Sequence, residues 1–257
     1  MDVKEIDQTV SAWLEELGEH TRGLIHEHLT VKTKEGNERN LVTNVDVANQ
    51  KWLLAKIQSL DPNARVIHEE GDSNRPTSTD GDIWYIDPID GTMNFVHEHV
   101  DFAIMMALYR DGKPVLGWIL DVMNQRLVHG GPEYGAWVDD QRLESPEDVN
   151  LEHAVMLLSG RRLVAGYPGY REVADRALAF RVLGSSGISF SRVILGQASG
   201  YYSKLEPWDF APGTAIAAAL NLAVTNLDGQ PLNMLLSNSV LIATQSAHRD
   251  LIKMFKD

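Results

Sequence analysis

The sequence contains no cysteine among its 257 residues. This absence excludes disulfide bonds, thiolate zinc sites and cysteine nucleophiles, so any metal ligand must be an oxygen or a nitrogen atom. Long apolar runs are also missing, since no stretch approaches the roughly 20 apolar residues of a membrane-spanning helix. The opening segment MDVKEIDQTVSAWLEELGEH has neither the basic nor the apolar region of a signal peptide. We therefore expect a cytoplasmic protein with no membrane partner.

Basic residues are scarce, because 23 Lys and Arg stand against 36 Asp and Glu, for a formal net charge of -13. Nucleic-acid binding depends on clustered cations that neutralise phosphates, so we expect no nucleic-acid partner. An anionic substrate must instead be bound locally, by metal ions or by the N-terminus of a helix. The length suits a single domain of two intimate halves, which we place at roughly residues 1–145 and 146–257.

Hydrophobic periodicity divides the chain into helices and strands. It predicts an amphipathic helix over residues from about 3 to 28, a polar loop over 31–40, and a second helix from Thr43 or Asn44 to just before Asp61. Several strand-like runs between 65 and 136 predict an antiparallel sheet. Strands and helices then alternate, including a helix over YREVADRALAF, a strand at RVLGS and a helix from about Phe210 to Leu222. The pattern predicts an α+β fold whose two halves meet at one cleft.

The segment WYIDPIDGTMNF places two carboxylates, Asp87 and Asp90, three positions apart at the end of an apolar run. We expect the strand to end before Asp87 and the proline to fix a turn. Carboxylates this close repel each other unless a cation lies between them, and hard cations prefer such oxygen ligands. Gly91 allows close approach of the backbone, and Thr92 and Met93 are predicted to open a helix with free N–H groups. Together these features predict a site for a metal-bound phosphoryl group.

Three further acidic stretches lie near predicted element ends: LVTNVD with Asp46, HEEGD with Glu69 and Glu70, and EPWDFAPGTA with Asp209. Each has a structural alternative, because Asp46 and Asp209 are plausible helix caps and Glu70 a solvated neighbour. Without Glu70, however, five acidic side chains remain that have no Lys or Arg nearby in sequence, and such a set is costly to gather without cations. The set therefore predicts a metal site.

These four stretches, in their order and spacing, resemble the motifs of the inositol monophosphatase family. LVTNVD is similar to its L-V-T-x-x-D, HEE to its G-E-E, WYIDPIDGTMNF to its W-x-I-D-P-I-D-G-T-x-N-F and PWDFAPG to its W-D-x-A-x-G. The resemblance covers essentially the whole chain. It implies a layered αβαβα sandwich of the inositol monophosphatase/fructose-1,6-bisphosphatase type and a homodimer. It also implies Mg²⁺-dependent, lithium-sensitive hydrolysis of a small phosphate monoester by direct attack of a metal-activated water.

The resemblance further implies the ligands of two Mg²⁺ ions and of a third, weaker one. The first ion would be held by Glu69, Asp87, Thr92 and the main-chain carbonyl of Ile89. The second would be held by Asp87, Asp90 and Asp209, and the third would also use Glu69.

The resemblance likewise implies the catalytic residues Asp46, Thr92 and Glu69. Asp46 would orient the Thr92 hydroxyl, which would position the attacking water. The backbone N–H groups of Gly91, Thr92 and Met93 would hold the phosphate oxygens.

The substrate is less defined than the chemistry. Inositol monophosphate is the first expectation, but YYSKLEPWD has Ser203 and Lys204 where family members commonly carry an acidic sugar contact. A cationic Lys204 at the pocket rim would suit a second phosphate, which leaves NADP 2'-phosphate, fructose 1,6-bisphosphate and a 3'-phosphoadenosine nucleotide open. A catalytically silent scaffold of the same fold is the alternative from a different class. The metal-ligand and catalytic side chains that the resemblance implies are all present, which disfavours it; they are Asp46, Glu69, Asp87, Asp90, Thr92 and Asp209.

Several turns and loops supply further candidates. The substrate-binding candidates are Ser159, Gly184, Ser185 and Ser186, unless the last three merely form a Gly-Ser turn that caps a helix. Lys34 is expected to reach the phosphate or the third ion. The pairs His26/His28 and His97/His99 lack a third ligand nearby, so no zinc site is expected.

Overall fold

The computed structural model describes residues 2–25, 27, 29–34, 36–71 and 75–256. Its helices are α1 (Val3–Gly23), α2 (Asn44–Leu60), α3 (Thr92–His97), α4 (Gly160–Val164), α5 (Tyr170–Arg176), α6 (Ser186–Ile194), α7 (Pro207–Ala217) and α8 (Gln245–Lys256). Its strands are β1 (Val31–Lys34), β2 (Asn37–Thr43), β3 (Arg65–His68), β4 (Asp82–Asp90), β5 (Ala103–Arg110), β6 (Lys113–Asp121), β7 (Arg126–Gly131), β8 (Gly135–Val138), β9 (Gln141–Arg142), β10 (Val155–Leu158), β11 (Ala179–Arg181), β12 (Gly200–Leu205), β13 (Leu222–Thr225) and β14 (Asn238–Thr244).

Two large sheets carry the architecture. The seven-stranded sheet runs in chain order from β3 to β9, and the five-stranded sheet has the order β11-β10-β12-β14-β13. Helices α1 and α2 pack on the outer face of the first sheet, α6 and α7 lie between the sheets, and α5 and α8 cover the second. This is the predicted αβαβα sandwich.

Strand β4 shows how the sequence produces these layers. Successive side chains of a strand point to opposite faces. Trp84 and Ile86 therefore pack against α1 and α2, while Ile83 and Tyr85 face α6 and α7. All four are buried, which explains the uninterrupted apolar run. The same strand carries Asp87 and Asp90 to the edge of the central layer.

The N-terminal region differs from its prediction in two places. Helix α1 ends at Gly23 rather than near 28, because the chain tightens there and the Leu24 N–H donates to the Thr21 carbonyl at 3.1 Å. The polar segment predicted as a loop is an antiparallel hairpin of β1 and β2, which turns at Gly36 with φ of 70°. A strand that is polar on both faces has no alternation, so the sequence pattern missed it.

The direction of one strand and the bounds of three other elements also differ from the predictions. Strand β3 runs parallel to β4, although the remaining pairs of that sheet are antiparallel as predicted. Helix α5 ends at Arg176, and β11 ends at Arg181 instead of covering RVLGS. Helix α7 begins at Pro207 and ends at Ala217, earlier than expected at both ends. Within the described ranges, no helix has the length and apolar character to cross a membrane.

Candidate active site

A bulge in β4 brings Asp87 and Asp90 together. In a regular strand, residues three positions apart point to opposite faces. Here Asp87 pairs with Met105 and Asp90 with Ala103, so three steps along β4 match two along β5. The extra residue restores a common side for both carboxylates, and Pro88, which has no N–H to donate, lies within the irregular segment. The expected end of the strand before Asp87 was therefore wrong.

Asp209 completes a cluster with these two aspartates. Oxygen atoms of Asp87, Asp90 and Asp209 all lie within 4.8 Å of one another. Asp209 is placed by the start of α7, where its Oδ2 accepts from the Glu206 N–H at 2.8 Å. The three carboxylates come from two elements that are far apart in sequence but meet at one end of the central layer.

The electrostatics of this cluster fit a divalent cation. Burial, and then repulsion from Glu69, Asp90 and Asp209, raise the pKa of Asp87 well above its usual value. Burial followed by repulsion from Asp90 does the same to the pKa of Asp209. Among the described residues, no lysine or arginine pairs with the cluster. Carboxylate oxygens are ligands of hard cations such as Mg²⁺, and a cation between these three carboxylates would offset their mutual repulsion.

Glu69 lies beside the cluster and is paired with a lysine. It follows the end of β3, and Lys34 Nζ approaches Glu69 Oε1 to 2.8 Å and also contacts Glu70. Burial raises the pKa of Glu69, Lys34 opposes that rise, and Glu70 and Asp46 add to it. The β1–β2 hairpin thus brings Lys34 to Glu69 and Glu70, and a contact of Lys34 with the phosphate or the third ion stays a prediction.

Thr92 and Asp46 form a hydrogen-bonded pair next to the cluster. Thr92 Oγ1 lies 3.2 Å from both Asp46 Oδ1 and the Ile89 carbonyl, to either of which its one proton can be donated. Asp46 is fully buried, and its other oxygen accepts from the N–H of Thr43 at 2.9 Å in a capping box at the start of α2. Burial raises the pKa of Asp46 to about 6, although the Thr43 hydrogen bonds act against it. The helix cap and the contact with Thr92 are therefore both real.

The N-terminus of α6 holds Asp90 in place. Ser186 donates from Oγ at 2.7 Å and from its N–H at 3.1 Å to Asp90 Oδ1, while Gly187 N–H and Ser185 Oγ donate to Oδ2. A Cβ at Gly187 would lie 2.8 Å from Met105 Sδ, so glycine permits this approach. Ser185 and Ser186, predicted as substrate contacts, thus both bind a predicted metal ligand, and Ser185 is also the N-cap of α6.

Asn94 connects α3 to the turn that precedes α6. Its Nδ2 donates to the Leu183 carbonyl at 2.7 Å and to the Asp101 carbonyl at 2.8 Å. Gly184 has φ of +80°, and a Cβ there would lie 2.7 Å from Asn94 Oδ1. Sequence reasoning missed Asn94. Its position within the TMNF segment was the available signal.

A pocket of about 330 Å³ opens beside the carboxylate cluster. Asp90 and Asp209 line it together with the candidates Ser159, Gly184, Ser185 and Ser186. From β12 it receives alternate residues, Tyr201, Ser203 and Leu205. Lys204 does not line the pocket and is exposed, because alternation along the strand directs it to the opposite face. The predicted place of Lys204 at the pocket rim was wrong.

The pocket has a cationic residue that sequence reasoning missed. Arg161 lines it from the first turn of α4, just beyond the carboxyl end of the parallel strand β10. Ligands of α/β sheets bind at such strand ends, and that was the available signal.

The remaining predicted residues lie around α3. Gly91 precedes the helix with φ of +86°, and Met93 is 39% exposed beside it. His97 is exposed, and His99 Nδ1 lies 2.8 Å from the Phe95 carbonyl. His26 and His28 lie outside the described residues.

Fold and site together define a phosphoric monoester hydrolase with a layered αβαβα sandwich. The chain belongs to the inositol monophosphatase family, since residues 2–257 match the model of that family. The predicted family and fold are thereby confirmed.

Individual relatives agree with this membership over nearly the whole chain. The inositol-1-monophosphatase of Bacillus subtilis (strain 168) is 31% identical over 256 residues, covering 98% of this chain and 96% of the relative. The LiCl-soaked inhibitory complex of staphylococcal inositol monophosphatase-1 matches with TM-score 0.90 and 27% identity, covering 99% and 95% of the two chains. An IMPase/NADP phosphatase complexed with NADP and Ca²⁺ matches with TM-score 0.90 and 27% identity, covering 99% and 96%.

Proposed function

We propose that this protein hydrolyses a small phosphate monoester in a Mg²⁺-dependent reaction, with inositol monophosphate as the first candidate substrate. The observation that carries the proposal is the carboxylate cluster of Asp87, Asp90 and Asp209 beside the Thr92–Asp46 hydrogen bond. Such a cluster can bind a divalent cation, and the pair beside it supplies a group that can orient water. Family membership supports the same reaction class.

The proposed metal ligands form two sets. Glu69, Asp87, Thr92 and the Ile89 carbonyl would hold one Mg²⁺, and Asp87, Asp90 and Asp209 would hold a second. Bound there, the ions would stabilise charge on the phosphoryl oxygens and lower the pKa of water. The third, weaker ion would share Glu69, where the Lys34 ammonium already lies 2.8 Å away.

The protein's own residues would position and hold the reactants. With its proton donated to Asp46, the Thr92 hydroxyl has a free lone pair that can accept a hydrogen bond from the attacking water. The buried Asp46 carboxylate would keep Thr92 in this orientation. The N–H groups of Gly91, Thr92 and Met93 would bind phosphate oxygens, since the first turn of a helix leaves its N–H groups unpaired.

Phosphate release from a panel of substrates tests the proposal. The panel is inositol 1-phosphate, NADP, fructose 1,6-bisphosphate and 3'-phosphoadenosine phosphate, each with and without Mg²⁺. Asp90→Asn and Asp209→Asn should each lower turnover by at least about 100-fold. Asp228→Asn, an exposed carboxylate, is the matched control and should be near wild type. Circular dichroism checks folding, since Asp90 also caps α6.

The ranking of that panel separates the alternatives. The similar IMPase/NADP phosphatase makes the 2'-phosphate of NADP a specific second candidate. Mg²⁺ binding without hydrolysis of any substrate would support the silent scaffold and contradict the enzyme.

We also propose lithium sensitivity, supported by the inhibitory LiCl complex of the staphylococcal relative. A monovalent ion in the Asp87, Asp90 and Asp209 cluster would stabilise the leaving group less than Mg²⁺ does. Titrating LiCl at fixed Mg²⁺ should lower turnover, whereas NaCl at the same ionic strength should not. Equal curves for the two salts would contradict it. A homodimer and a cytoplasmic location likewise stay proposals.

A further inference from the structure

Arg161 occupies a distinctive place in the substrate pocket. The pocket contains two of the clustered carboxylates, several serine hydroxyls and this arginine as its cationic lining residue. Arg161 is exposed, and no carboxylate of the described residues forms an ion pair with it. A cation that no carboxylate of the described residues neutralises, in the pocket beside the carboxylate cluster, is available to a ligand.

We propose that Arg161 binds a second anionic group of the substrate. Arg161 would then strengthen the binding of phosphate monoesters that carry a further phosphate, and would add little to the binding of monophosphates whose other groups are neutral hydroxyls. This inference rests on the proposed function and names the substrate class for the same site.

The size of the pocket supports this division of roles. About 330 Å³ is near the small end of the roughly 300–1,000 Å³ range of ligand sites. A phosphorylated ring can fill that volume, so an additional phosphate would project toward the exposed rim where Arg161 lies. The guanidinium group binds phosphate oxygens in a bidentate, charge-assisted manner.

The negative net charge of the protein opposes the binding of a substrate with two phosphates, so a local cation would favour its binding. The protein has a formal net charge of -13, so a multiply charged anion approaches against the overall field. Lys34 is engaged with Glu69 and Glu70, and Lys204 faces away from the pocket. Arg161 is therefore the pocket residue that can offset a second phosphate.

Close packing fixes the start of α4, from which Arg161 projects. A Cβ at Gly160 would lie 2.9 Å from Val182 Cγ1, so glycine lets the helix lie directly against Val182. Val182 also lines the pocket. The backbone of Arg161 is thus held at the pocket wall while its side chain stays free to reach a ligand.

The adjacent Arg162 is a matched control. Its guanidinium carbon lies 4.9 Å from the centre of the Tyr167 ring, and it does not line the pocket. Replacing Arg162 with Gln removes the same charge from the same helix. It therefore corrects for any general change in the field.

Steady-state kinetics with Mg²⁺ on the whole protein test the inference. We expect Arg161→Gln to lower kcat/KM for fructose 1,6-bisphosphate and NADP by about tenfold or more, mainly through KM. Its kcat/KM for inositol 1-phosphate should stay within about twofold, because neutral hydroxyls gain less from a cation. Arg162→Gln should affect all three substrates equally and weakly. An equal loss on all substrates in Arg161→Gln, or no loss, would overturn the inference.

Calorimetric binding separates failure here from failure of the proposed function. With Ca²⁺ in place of Mg²⁺, the Kd of fructose 1,6-bisphosphate should rise about tenfold in Arg161→Gln, and that of inositol 1-phosphate should hold. If the wild type hydrolyses none of the substrates but Arg161→Gln still raises the Kd of fructose 1,6-bisphosphate, the proposed function fails and the Arg161 contact stands. Hydrolysis with unshifted Kd values would reject the Arg161 contact alone.

Discussion

At the scale of single residues, the site depends on a local departure from regular β structure. Asp87 and Asp90 share a side only because the β4–β5 ladder shifts between them. Asp90 then accepts from the hydroxyls of Ser185 and Ser186 and from the N–H groups of Ser186 and Gly187, and these N–H groups would otherwise be unpaired at the start of α6. One carboxylate therefore caps a helix and lines the metal cluster.

The Thr92–Asp46 pair gives a prediction about coupling. Thr92→Ala and Asp46→Asn should each lower kcat by about 100-fold, because each removes one half of a water-orienting unit. The double variant should lose scarcely more than either single variant, since residues that act as a unit are strongly non-additive. Single-turnover phosphate release measures all three. If the loss of kcat in the double variant were instead the product of the two single losses, the two residues would act independently.

At the scale of elements, α7 places Asp209 by packing very closely on its neighbours. A Cβ at Gly213 would lie 2.1 Å from Phe190 Cδ1 of α6, and one at Gly117 of β6 would lie 2.2 Å from the Pro212 carbonyl. The glycines let α7 approach both the helix beside it and the sheet below. The end of α7 that carries Asp209 is located by these contacts.

Gly213→Ala tests that packing. We expect the free energy of unfolding to fall by about 1–3 kcal/mol, because the buried Phe190 ring cannot move aside. Gly23→Ala is the control, since a Cβ at Gly23 meets nothing within 4 Å and alanine favours a helix. Urea unfolding measures both. Equal stability of the two variants would contradict the close approach.

Helix α1 is tied to the first sheet through Asp7. Its buried carboxylate accepts from Trp118 Nε1 at 2.9 Å and lies 2.7 Å from His129 Nδ1. Burial alone would lower the pKa of His129, but the hydrogen bonds to Asp7 and to the Asp139 carbonyl outweigh it and raise the pKa. Tyr134 also faces Asp7, and burial followed by the charge of Asp7 raises the pKa of that phenol to about 12.

The raised pKa of His129 predicts a pH-dependent contribution of this side chain to stability. It is fully present below the unfolded-state pKa of about 6.5 and is lost as pH rises through the higher folded-state pKa. His129→Gln should therefore destabilise the protein by about 1–2 kcal/mol near pH 6 and by less near pH 9. Urea unfolding of the wild type and of His129→Gln across pH measures the difference in their free energies of unfolding. Burial lowers the pKa of His248, which has the opposite effect on stability, but this effect is the same in both proteins and cancels from the difference. A constant difference would contradict charging of His129.

At the scale of the whole molecule, both halves of the chain contribute to the central layer. One buried cluster contains Tyr85 and Met105 of the first sheet, Phe190 and Phe210 of the middle helices, and Ile242 of the second sheet. This shared core supports the proposal of one domain with halves at roughly 1–145 and 146–257. Coincident urea transitions by fluorescence and circular dichroism are the expected outcome, and separate transitions would contradict it.

The edge of the second sheet supports a homodimer. Leu178, Phe180 and Val182 recur every second residue in β11 and directly beside its two ends, and they are 65%, 41% and 51% exposed. An edge strand with an apolar row is a surface that proteins normally cover. A second copy of the chain is the proposed occupant.

Leu178→Glu should convert the proposed dimer to a monomer, because a buried unpaired charge opposes association. Leu236→Glu is the control, since Leu236 is 61% exposed outside this row. Sedimentation velocity measures the mass. A wild-type monomer, or a dimeric Leu178→Glu variant, would contradict the proposal.

The sequence alone determined the chemistry and most of the elements. The order of the motifs predicted the family, and apolar periodicity predicted α1, α2 and the strands from β3 to β8, because both signals are local in sequence. The hairpin of β1 and β2 was missed because its polar strands have no alternation. Only the tertiary structure showed that a bulge unites Asp87 with Asp90, that the start of α6 holds Asp90, and that Arg161 rather than Lys204 lines the pocket. Those facts depend on register and on contacts between residues up to about a hundred positions apart, and a one-residue shift in a strand reverses the side to which each residue points.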